Sequence, residues 1–255
     1  MLHIQVKPDT LAQVTALPDI QYLTVPILLT KNEEGAIPRR LGTGFVIAPG
    51  VIMSANHVIG VTPAEDELLG IPMIFPDGAV VFHQITNVYR DPAHDLAVGR
   101  VYSWPAQTFI AVEDQDVYNV EDGVASYEYS KTALAREPES VAAFLEISGR
   151  SHIGHIMRVL TQRDMFPAPT EVLELSFPVL EGASGAPVIN RSTGKLVGVV
   201  THNYAEELHP AQIDLYEEPD GVREERKFYL PYALAVGLPH IRAAIAASGL
   251  MPPVA

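Results

Sequence analysis

Short apolar runs separated by turn residues dominate the chain and predict β-strands. In the first half these runs cover 22–30, the two segments flanking Pro49–Gly50, 71–75, 79–90 and 95–102. Each run is bounded by Pro, Gly, Asp or Asn, which are the residues that turns favour. Regular short strands of this kind are typical of a sandwich or barrel and not of alternating strand–helix units. The two runs around Pro49–Gly50 predict a hairpin that leads into a helical turn.

The second half repeats this organisation after a polar, acidic stretch at 103–122. Its predicted strands are 123–129, 141–149, 152–161, 171–177, 186–190 and 195–201. We therefore divide the chain into 1–112 and 113–255, each the size of a small β-barrel. The only convincing helical spacing lies within 231–250, where Ile241, Ala244, Ile245 and Leu250 recur and Gly249 stands near the end.

Composition narrows the class of protein. The 255 residues are 47% hydrophobic and 19% charged, as in ordinary globular domains. The absence of cysteine excludes disulfides, a thiolate nucleophile and cysteine-ligated zinc. A formal net charge of -14 argues against binding to a phosphate backbone, so we expect no nucleic-acid partner. The acidic stretches 113–122 and 204–227 are interpreted as solvated loops.

The N-terminus and the hydropathy of the chain set an expectation for location. The opening "MLHIQVKPDTLAQV" lacks the basic start and continuous apolar stretch of a secretory signal. No apolar run approaches the roughly 18 residues that span a bilayer. We expect a soluble, cytoplasmic protein without membrane contact, although a mature form cleaved from its signal would have the same pattern.

Three short segments each place one chemically capable residue against an apolar strand or turn. They are "SANHVI" (54–59), "HDLAVGRV" (94–101) and "EGASGAPVIN" (181–190). Taken singly, His57 is typical of a strand end, Asp95 of a cap, and Ser184 of a small-residue bend. The coincidence of all three types in one chain favours a catalytic interpretation.

A serine hydroxyl becomes an effective nucleophile when an imidazole accepts its proton, and a carboxylate orients that imidazole and stabilises its charge. Ser184, His57 and Asp95 supply these three groups. Attack on a carbonyl creates an oxyanion, which backbone N–H groups at a small-residue turn can stabilise. The N–H groups of Gly182 and Ser184 are the expected donors.

The chain order His, Asp, Ser differs from that of the α/β-hydrolases and the subtilisins. With "TGFVIAPGVIMSANHV", "HDLAVGRV", "FPVLEGASGAPVI" and "GKLVGVVTHN", the chain resembles the trypsin-like (chymotrypsin-fold) serine peptidases over about 22–203. The resemblance implies an all-β fold of two six-stranded antiparallel barrels with a C-terminal α-helix. It also implies a triad in the cleft between the barrels, with His57 and Asp95 from the first and Ser184 from the second.

Several differences from the digestive and clotting trypsins place the chain among the cysteine-free relatives. Ala183 stands where digestive and clotting trypsins carry an aspartate, and no Ile-Val-Gly-Gly sequence lies near the N-terminus. We therefore expect no activation through a new N-terminus. The chain is closer to the bacterial HtrA-like and glutamyl-endopeptidase branches, and we expect no C-terminal PDZ module. Ala186 replaces a common second glycine, which is a mild change.

The resemblance also suggests where substrate binds. It implies that Thr201, His202 and Asn203 form a strand edge for the substrate backbone, and that Val179 and Leu180 approach the primary specificity pocket. Val200 stands where glutamate-preferring relatives have a histidine, so we expect a small or apolar residue before the scissile bond. The Thr201 hydroxyl is a candidate partner for Asp95, and a partly exposed strand residue is an equally good interpretation of His202.

No cofactor or metal is expected. His152 and His155 would share one face of a helix, but on a strand they point to opposite sides, and no third ligand accompanies them. The leading hypothesis is a serine endopeptidase that cleaves protein or peptide substrates. The alternative is a catalytically silent trypsin-fold interaction module, or a peptidase that a regulatory protein partner activates.

Overall fold

The computed structural model describes residues 20–33, 38–74, 80–102, 108–115, 118–130, 133–136, 143–146, 148–208, 216–217, 223–224 and 228–251. Most of the described chain folds into two closed antiparallel β-barrels of six strands each, followed by a helix. This confirms the predicted fold class. None of the described helices is long and apolar enough to cross a membrane.

The first barrel contains the first six strands in the order β1-β2-β3-β6-β5-β4. These are β1 (Thr24–Lys31), β2 (Arg39–Ala48), β3 (Val51–Ala55), β4 (Glu67–Ile74), β5 (Val80–Asp91) and β6 (Leu96–Val101). Pairing of β1 with β4 closes the barrel. A short helix, α1 (Ile20–Leu23), precedes it, and a single helical turn, α2 (Asn56–Ile59), follows the β2–β3 hairpin, as predicted.

The second barrel has the order β10-β11-β16-β13-β12-β7. Its strands are β7 (Gly123–Glu128), β10 (Arg150–Gln162), β11 (Thr170–Leu175), β12 (Pro187–Asn190), β13 (Leu196–Leu208) and β16 (Phe228–Gly237). Two small strand pairs stand outside the barrels: β8 (Ala133–Arg136) with β9 (Ala143–Glu146), and β14 (Tyr216–Glu217) with β15 (Arg223–Glu224). The chain then enters α3 (Leu238–Ser248).

The apolar runs are continuous because several strands bury both faces. In β3, Ile52 points into the first barrel, while its neighbours Val51 and Met53 pack against the second. The same alternation on β16 sends Ala235 into the second barrel and Val236 towards the first. Three apolar clusters result, one inside each barrel and one between them, and the last also holds the inner face of α3.

Two features at the C-terminal end differ from the prediction. Residues 228–237 form the strand β16, which was not predicted, whereas the helix predicted within 231–250 is confirmed as α3, with Gly249 in the left-handed conformation at its C-terminus. A buried apolar run cannot be assigned to helix or strand by periodicity alone. The stretch 204–227 was predicted as loop, yet 204–208 extend β13 and pair with β16. The remainder of that stretch, apart from β14 and β15, lies outside the described residues.

Candidate active site

His57 and Asp95 meet at one end of the first barrel. The Nδ1 atom of His57 lies 2.7 Å from Oδ2 of Asp95, and the His57 backbone N–H donates to Oδ1 at 3.0 Å. The Asp95 carboxylate thus accepts hydrogen bonds from the His57 ring and from one backbone N–H at the start of α2. Ala55, at the N-cap of this helix, supplies no side-chain hydrogen bond. With Nδ1–H donated to Asp95, Nε2 of the neutral imidazole carries the free lone pair.

The turn that presents Asp95 is held on several sides. Asp95 has a φ of 55°, in the left-handed region that Asp tolerates better than most residues, and its carbonyl accepts the Asn56 N–H at 3.0 Å. The preceding His94 pairs with Asp91 at 2.8 Å and stacks on His240 of α3 with ring centroids 4.0 Å apart. Because these contacts fix both ends of the turn, the Asp95 carboxylate has little freedom to swing.

Ser184 lies in a tight loop before β12. The Ala183 N–H donates to the Leu180 carbonyl at 3.0 Å and Gly182 has a φ of 97°, which together define a type II turn over 180–183. Gly185 also has a positive φ, 87°, and a Cβ there would lie 2.0 Å from the Thr43 carbonyl oxygen. Both glycines are therefore required by the backbone conformation of this loop.

The backbone hydrogen bonds of the loop leave two donors without an acceptor. Gly185 donates to Val200 at 2.7 Å, and Ala186 donates to Ala183 at 2.9 Å. Within the described part of the chain, the N–H groups of Gly182 and Ser184 donate to no protein acceptor. Gly182 is buried and Ser184 is partly exposed, so these two N–H groups are available to an acceptor at the site.

The Ser184 hydroxyl donates to the Thr201 carbonyl, with an Oγ–O distance of 3.2 Å. Among the described residues it forms no hydrogen bond with His57. A rotation about the Cα–Cβ bond moves the hydroxyl between staggered positions without moving the backbone. The arrangement holds all three side-chain types in one region, with the serine hydroxyl bonded to the neighbouring strand.

A cleft of about 380 Å³ opens beside His57 and Asp95; Ser184 is not one of its lining residues but bonds to Thr201, which is. It is lined by His57, Pro92, Asp95, Met165, Phe166, Pro167, Thr201 and His202. His202 lies between the catalytic candidate His57, at a ring-centroid distance of 6.3 Å, and Phe166, which it meets edge-on at 5.3 Å. Burial lowers the pKa of His202, Asp95 acts in the opposite direction, and the neighbouring His57 adds to the lowering.

The predicted substrate-binding residues fall into two groups. Thr201 and His202 line the cleft, whereas Val179, Leu180 and Asn203 are not among its lining residues. Val179 is buried in the core of the second barrel, and Leu180 is exposed on the turn.

The suggested hydrogen bond from the Thr201 hydroxyl to Asp95 is wrong. Within the described residues the Thr201 Oγ1 atom is buried without a partner. It is the main-chain carbonyl of Thr201 that contacts the site, where it accepts the Ser184 hydroxyl.

Sequence reasoning missed the segment that forms one wall of the cleft. Met165, Phe166 and Pro167 lie in the connection between β10 and β11, and Phe166 is only 5% exposed. A single buried aromatic residue followed by a proline has no periodicity and resembles any loop anchor. Its position beside His202 depends on the long-range pairing of β11 with β16, which local pattern does not encode.

His152 and His155 both lie on β10, as the strand interpretation requires. His152 pairs with the buried Glu128 at 2.9 Å and stacks on Phe177, while His155 is exposed. In the described ranges no group of three or more His, Asp or Glu side chains is arranged to hold a metal ion.

Comparison with known protein families gives a class that agrees with the two-barrel fold. Residues 42–199 match the model of the trypsin-like peptidase domain. That match covers more than half of the chain, so the chain belongs to the trypsin-like peptidases. The assignment agrees with the resemblance inferred from the sequence segments around His57, Asp95 and Ser184.

Solved structures with the same fold include two proteases. The active form of the Rv3671c protease from M. tuberculosis is 17% identical, with a TM-score of 0.57 over 100% of this chain and 94% of that one. The HtrA-type protease AlgW, solved with a decapeptide, is 15% identical, with a TM-score of 0.56 over 89% of this chain and 63% of AlgW. At these identities the likeness shows the fold alone. No curated protein sequence matches the chain significantly.

Proposed function

We propose that the protein is a serine endopeptidase in which His57, Asp95 and Ser184 form the catalytic triad. The observation that carries the proposal is the pairing of His57 Nδ1 with the Asp95 carboxylate at 2.7 Å, beside a serine loop with two unpaired N–H groups. The pairing fixes the His57 tautomer whose Nε2 accepts a proton. The N–H groups of Gly182 and Ser184 can donate hydrogen bonds to the oxyanion that forms during the reaction.

The first half of the reaction is acylation. The Ser184 hydroxyl turns from the Thr201 carbonyl towards His57, and its oxygen attacks the carbonyl carbon of the scissile peptide bond as its proton passes to Nε2. The resulting oxyanion accepts hydrogen bonds from the N–H groups of Gly182 and Ser184. The C–N bond then breaks, the proton on Nε2 passes to the leaving amine, and an acyl ester remains on Ser184.

The second half is hydrolysis of the ester. A water molecule gives its proton to His57 Nε2 and attacks the ester carbon, so that a second oxyanion forms at the same donors. Collapse breaks the bond to Ser184 and returns the proton from His57 to the serine oxygen. Asp95 stays ionised throughout and stabilises the imidazolium that exists during each step.

The strand beside the cleft supports binding of an extended peptide. β12 pairs with β13 only up to Val199, whereas β13 continues through 201–203 paired with β16 alone. An extended substrate can add to that edge through main-chain hydrogen bonds. The apolar Met165 and Phe166 in the wall of the cleft support small or apolar side chains near the scissile bond, as expected from the sequence.

One observation favours a second candidate, a peptidase that a regulatory partner activates. The Ser184 hydroxyl is bonded to Thr201 and not to His57, so the nucleophile is not yet activated. A partner or substrate that competes for the Thr201 carbonyl would release the hydroxyl. This candidate uses the same residues and differs in requiring the partner for turnover.

Cleavage of a mixed peptide library by the whole protein tests the proposal. We expect the wild-type protein to generate new termini, with small or apolar residues before the cleaved bond, and Ser184→Ala to generate none. Equal cleavage by Ser184→Ala would show a contaminating protease and contradict the proposal. Strong selection for Arg, Lys or Glu would contradict the proposed specificity alone.

A further inference from the structure

Thr43, on β2 of the first barrel, contacts the serine loop of the second barrel with its backbone N–H and its hydroxyl. It is fully buried. Its backbone N–H donates to the Ser184 carbonyl at 2.9 Å, and its hydroxyl donates to the Gly182 carbonyl at 2.8 Å. No role was assigned to Thr43 from the sequence, where it is one small residue in "LGTGF".

The remaining polar groups of Thr43 are also occupied. The hydroxyl oxygen accepts the Tyr129 N–H at 3.1 Å, so the hydroxyl bridges two backbone segments of the second barrel. The carbonyl accepts the Ser54 hydroxyl at 2.6 Å, on the strand that leads to His57. A single buried residue therefore connects the histidine side of the site, through its main-chain carbonyl, with the serine side, through its N–H and hydroxyl.

The hydroxyl acts at a particular peptide group. The Gly182–Ala183 peptide is held at its carbonyl by Thr43 and at its N–H by Leu180. The two unpaired donors, Gly182 N–H and Ser184 N–H, belong to the peptide groups on either side of it. Fixing the middle peptide therefore sets the distance and relative direction of the two outer donors.

The side chain of Arg40 packs over the same peptide. A Cβ on Gly182 would lie 2.9 Å from the Arg40 Cζ, and Arg40 also donates to the Ser130 carbonyl. Arg40 therefore restricts the space around Gly182. The directional constraint on the Gly182 carbonyl comes from the Thr43 hydroxyl.

We propose that Thr43 is a positioning residue for the peptidase reaction: its hydroxyl holds the Gly182 carbonyl so that the two neighbouring N–H groups converge on the oxyanion. This inference rests on the proposed function. Without the hydroxyl, the buried Gly182 carbonyl and the Tyr129 N–H both lose their hydrogen-bond partner. The loop is then stabilised by rotating so that these groups form hydrogen bonds elsewhere. Because the oxyanion exists only during the reaction, displaced donors slow the chemical step and leave substrate binding unchanged.

The test compares four variants of the whole protein with the wild type. Thr43→Val removes the hydroxyl and keeps the branched shape, while Thr43→Ala and Thr43→Ser differ from each other only by the hydroxyl. Thr24→Val is the matched control, because Thr24 is also buried on a first-barrel strand and donates to a main-chain carbonyl, that of Ile20 at 2.7 Å. The measurements are the rate of Ser184 labelling by a fluorophosphonate, kcat and KM for one peptide substrate, and Tm.

We expect Thr43→Val and Thr43→Ala to slow labelling and kcat at least about tenfold, with KM within about twofold of wild type. Thr43→Ser should retain most of the rate, and Thr24→Val should retain it despite a lower Tm. If Thr43→Val does not fold, the Ser and Ala variants decide the question.

Two results would overturn the role of Thr43: wild-type labelling by folded Thr43→Val or Thr43→Ala, or a Thr43→Ser variant as slow as Thr43→Ala. Failure of the wild-type protein to label at Ser184 is a different result. It contradicts the proposed function itself and removes this role with it.

Discussion

The two halves of the site are built by different means. The first barrel presents His57 and Asp95 through side-chain hydrogen bonds, at 2.7 and 3.0 Å. The second barrel presents Ser184 through backbone hydrogen bonds and two glycines with positive φ. In the first half, hydrogen bonds between side chains set the geometry. In the second half, a backbone conformation that needs glycine sets it, so even one added methyl group alters the geometry.

This difference predicts how each half fails. A substitution in the His57–Asp95 half should remove activity and leave the fold intact, because its groups lie at a strand end beside the cleft. A substitution in the Ser184 loop should reduce activity, and it should also reduce stability where the added atoms meet backbone, as they would at Gly185. The following substitutions test that division, beginning with the largest expected effect.

Asp95→Asn should abolish most activity while the protein remains folded. The amide cannot hold His57 in the tautomer that accepts a proton at Nε2, and in related triads this change costs about 10⁴ in kcat. The measurement is kcat for a peptide substrate, with Tm as the control for folding. A loss of less than tenfold would show that Asp95 does not orient the imidazole.

Gly185→Ala should destabilise the fold more than any single methyl group elsewhere in the site. The new Cβ would lie 2.0 Å from the Thr43 carbonyl oxygen and 2.1 Å from the Ser54 hydroxyl, at a φ of 87°. We expect a loss of about 3 kcal/mol or more in the free energy of unfolding, measured by urea denaturation. Ala186→Gly, at the neighbouring position, should cost about 1 kcal/mol or less. Similar losses for both variants would contradict the stated geometry.

Gly182→Ala should reduce activity more than stability. Alanine disfavours the φ of 97° that the type II turn requires, and the three atoms nearest to its Cβ all belong to the movable end of Arg40. A type I turn would rotate the Glu181–Gly182 peptide and withdraw one oxyanion donor, a loss of about 10²–10³ in kcat. Unchanged kcat in a folded Gly182→Ala variant would exclude Gly182 as a donor.

His240, which stacks on His94 beside the Asp95 turn, should make the stability of the protein depend on pH. Burial lowers the pKa of His240, with His94 acting in the same direction and Glu171 and Asp91 opposing. The unfolded chain therefore takes up a proton near pH 6.5 that the folded chain resists, so stability falls as the pH drops below about 6.5. Protonation at Nε2 would also break the hydrogen bond that His240 accepts from the Glu171 N–H at 2.9 Å.

His240→Gln tests this effect, which is the smallest of the series. Its amide oxygen can accept the Glu171 N–H but does not titrate, so the loss of stability between pH 7.5 and 5.5 should shrink. The measurement is the urea midpoint at both pH values. Equal pH dependence in the variant and the wild type would assign the effect to other groups, among them His202, whose pKa is also lowered.

The contrast between the two halves also explains what could be predicted from the sequence. His57, Asp95 and Ser184 stand out because each is a polar residue at the end of an apolar run, and their order in the chain indicates the barrel fold. Thr43 and Phe166 carry no such signal, since their roles arise from contacts between the barrels. β16 was missed for a related reason: its residues are apolar on both faces, and only its pairing with β11 and β13 identifies it as a strand.

Labelling with a fluorophosphonate, followed by mass spectrometry of the labelled peptide, tests the central claim most directly. We predict one phosphonyl group on Ser184 in the wild-type protein, in the presence of a regulatory partner if one is required. Labelling should disappear in Ser184→Ala and slow greatly in a His57→Ala variant that remains folded. Absence of an adduct under all these conditions, or an adduct on another serine, would contradict the assignment of Ser184 as the nucleophile.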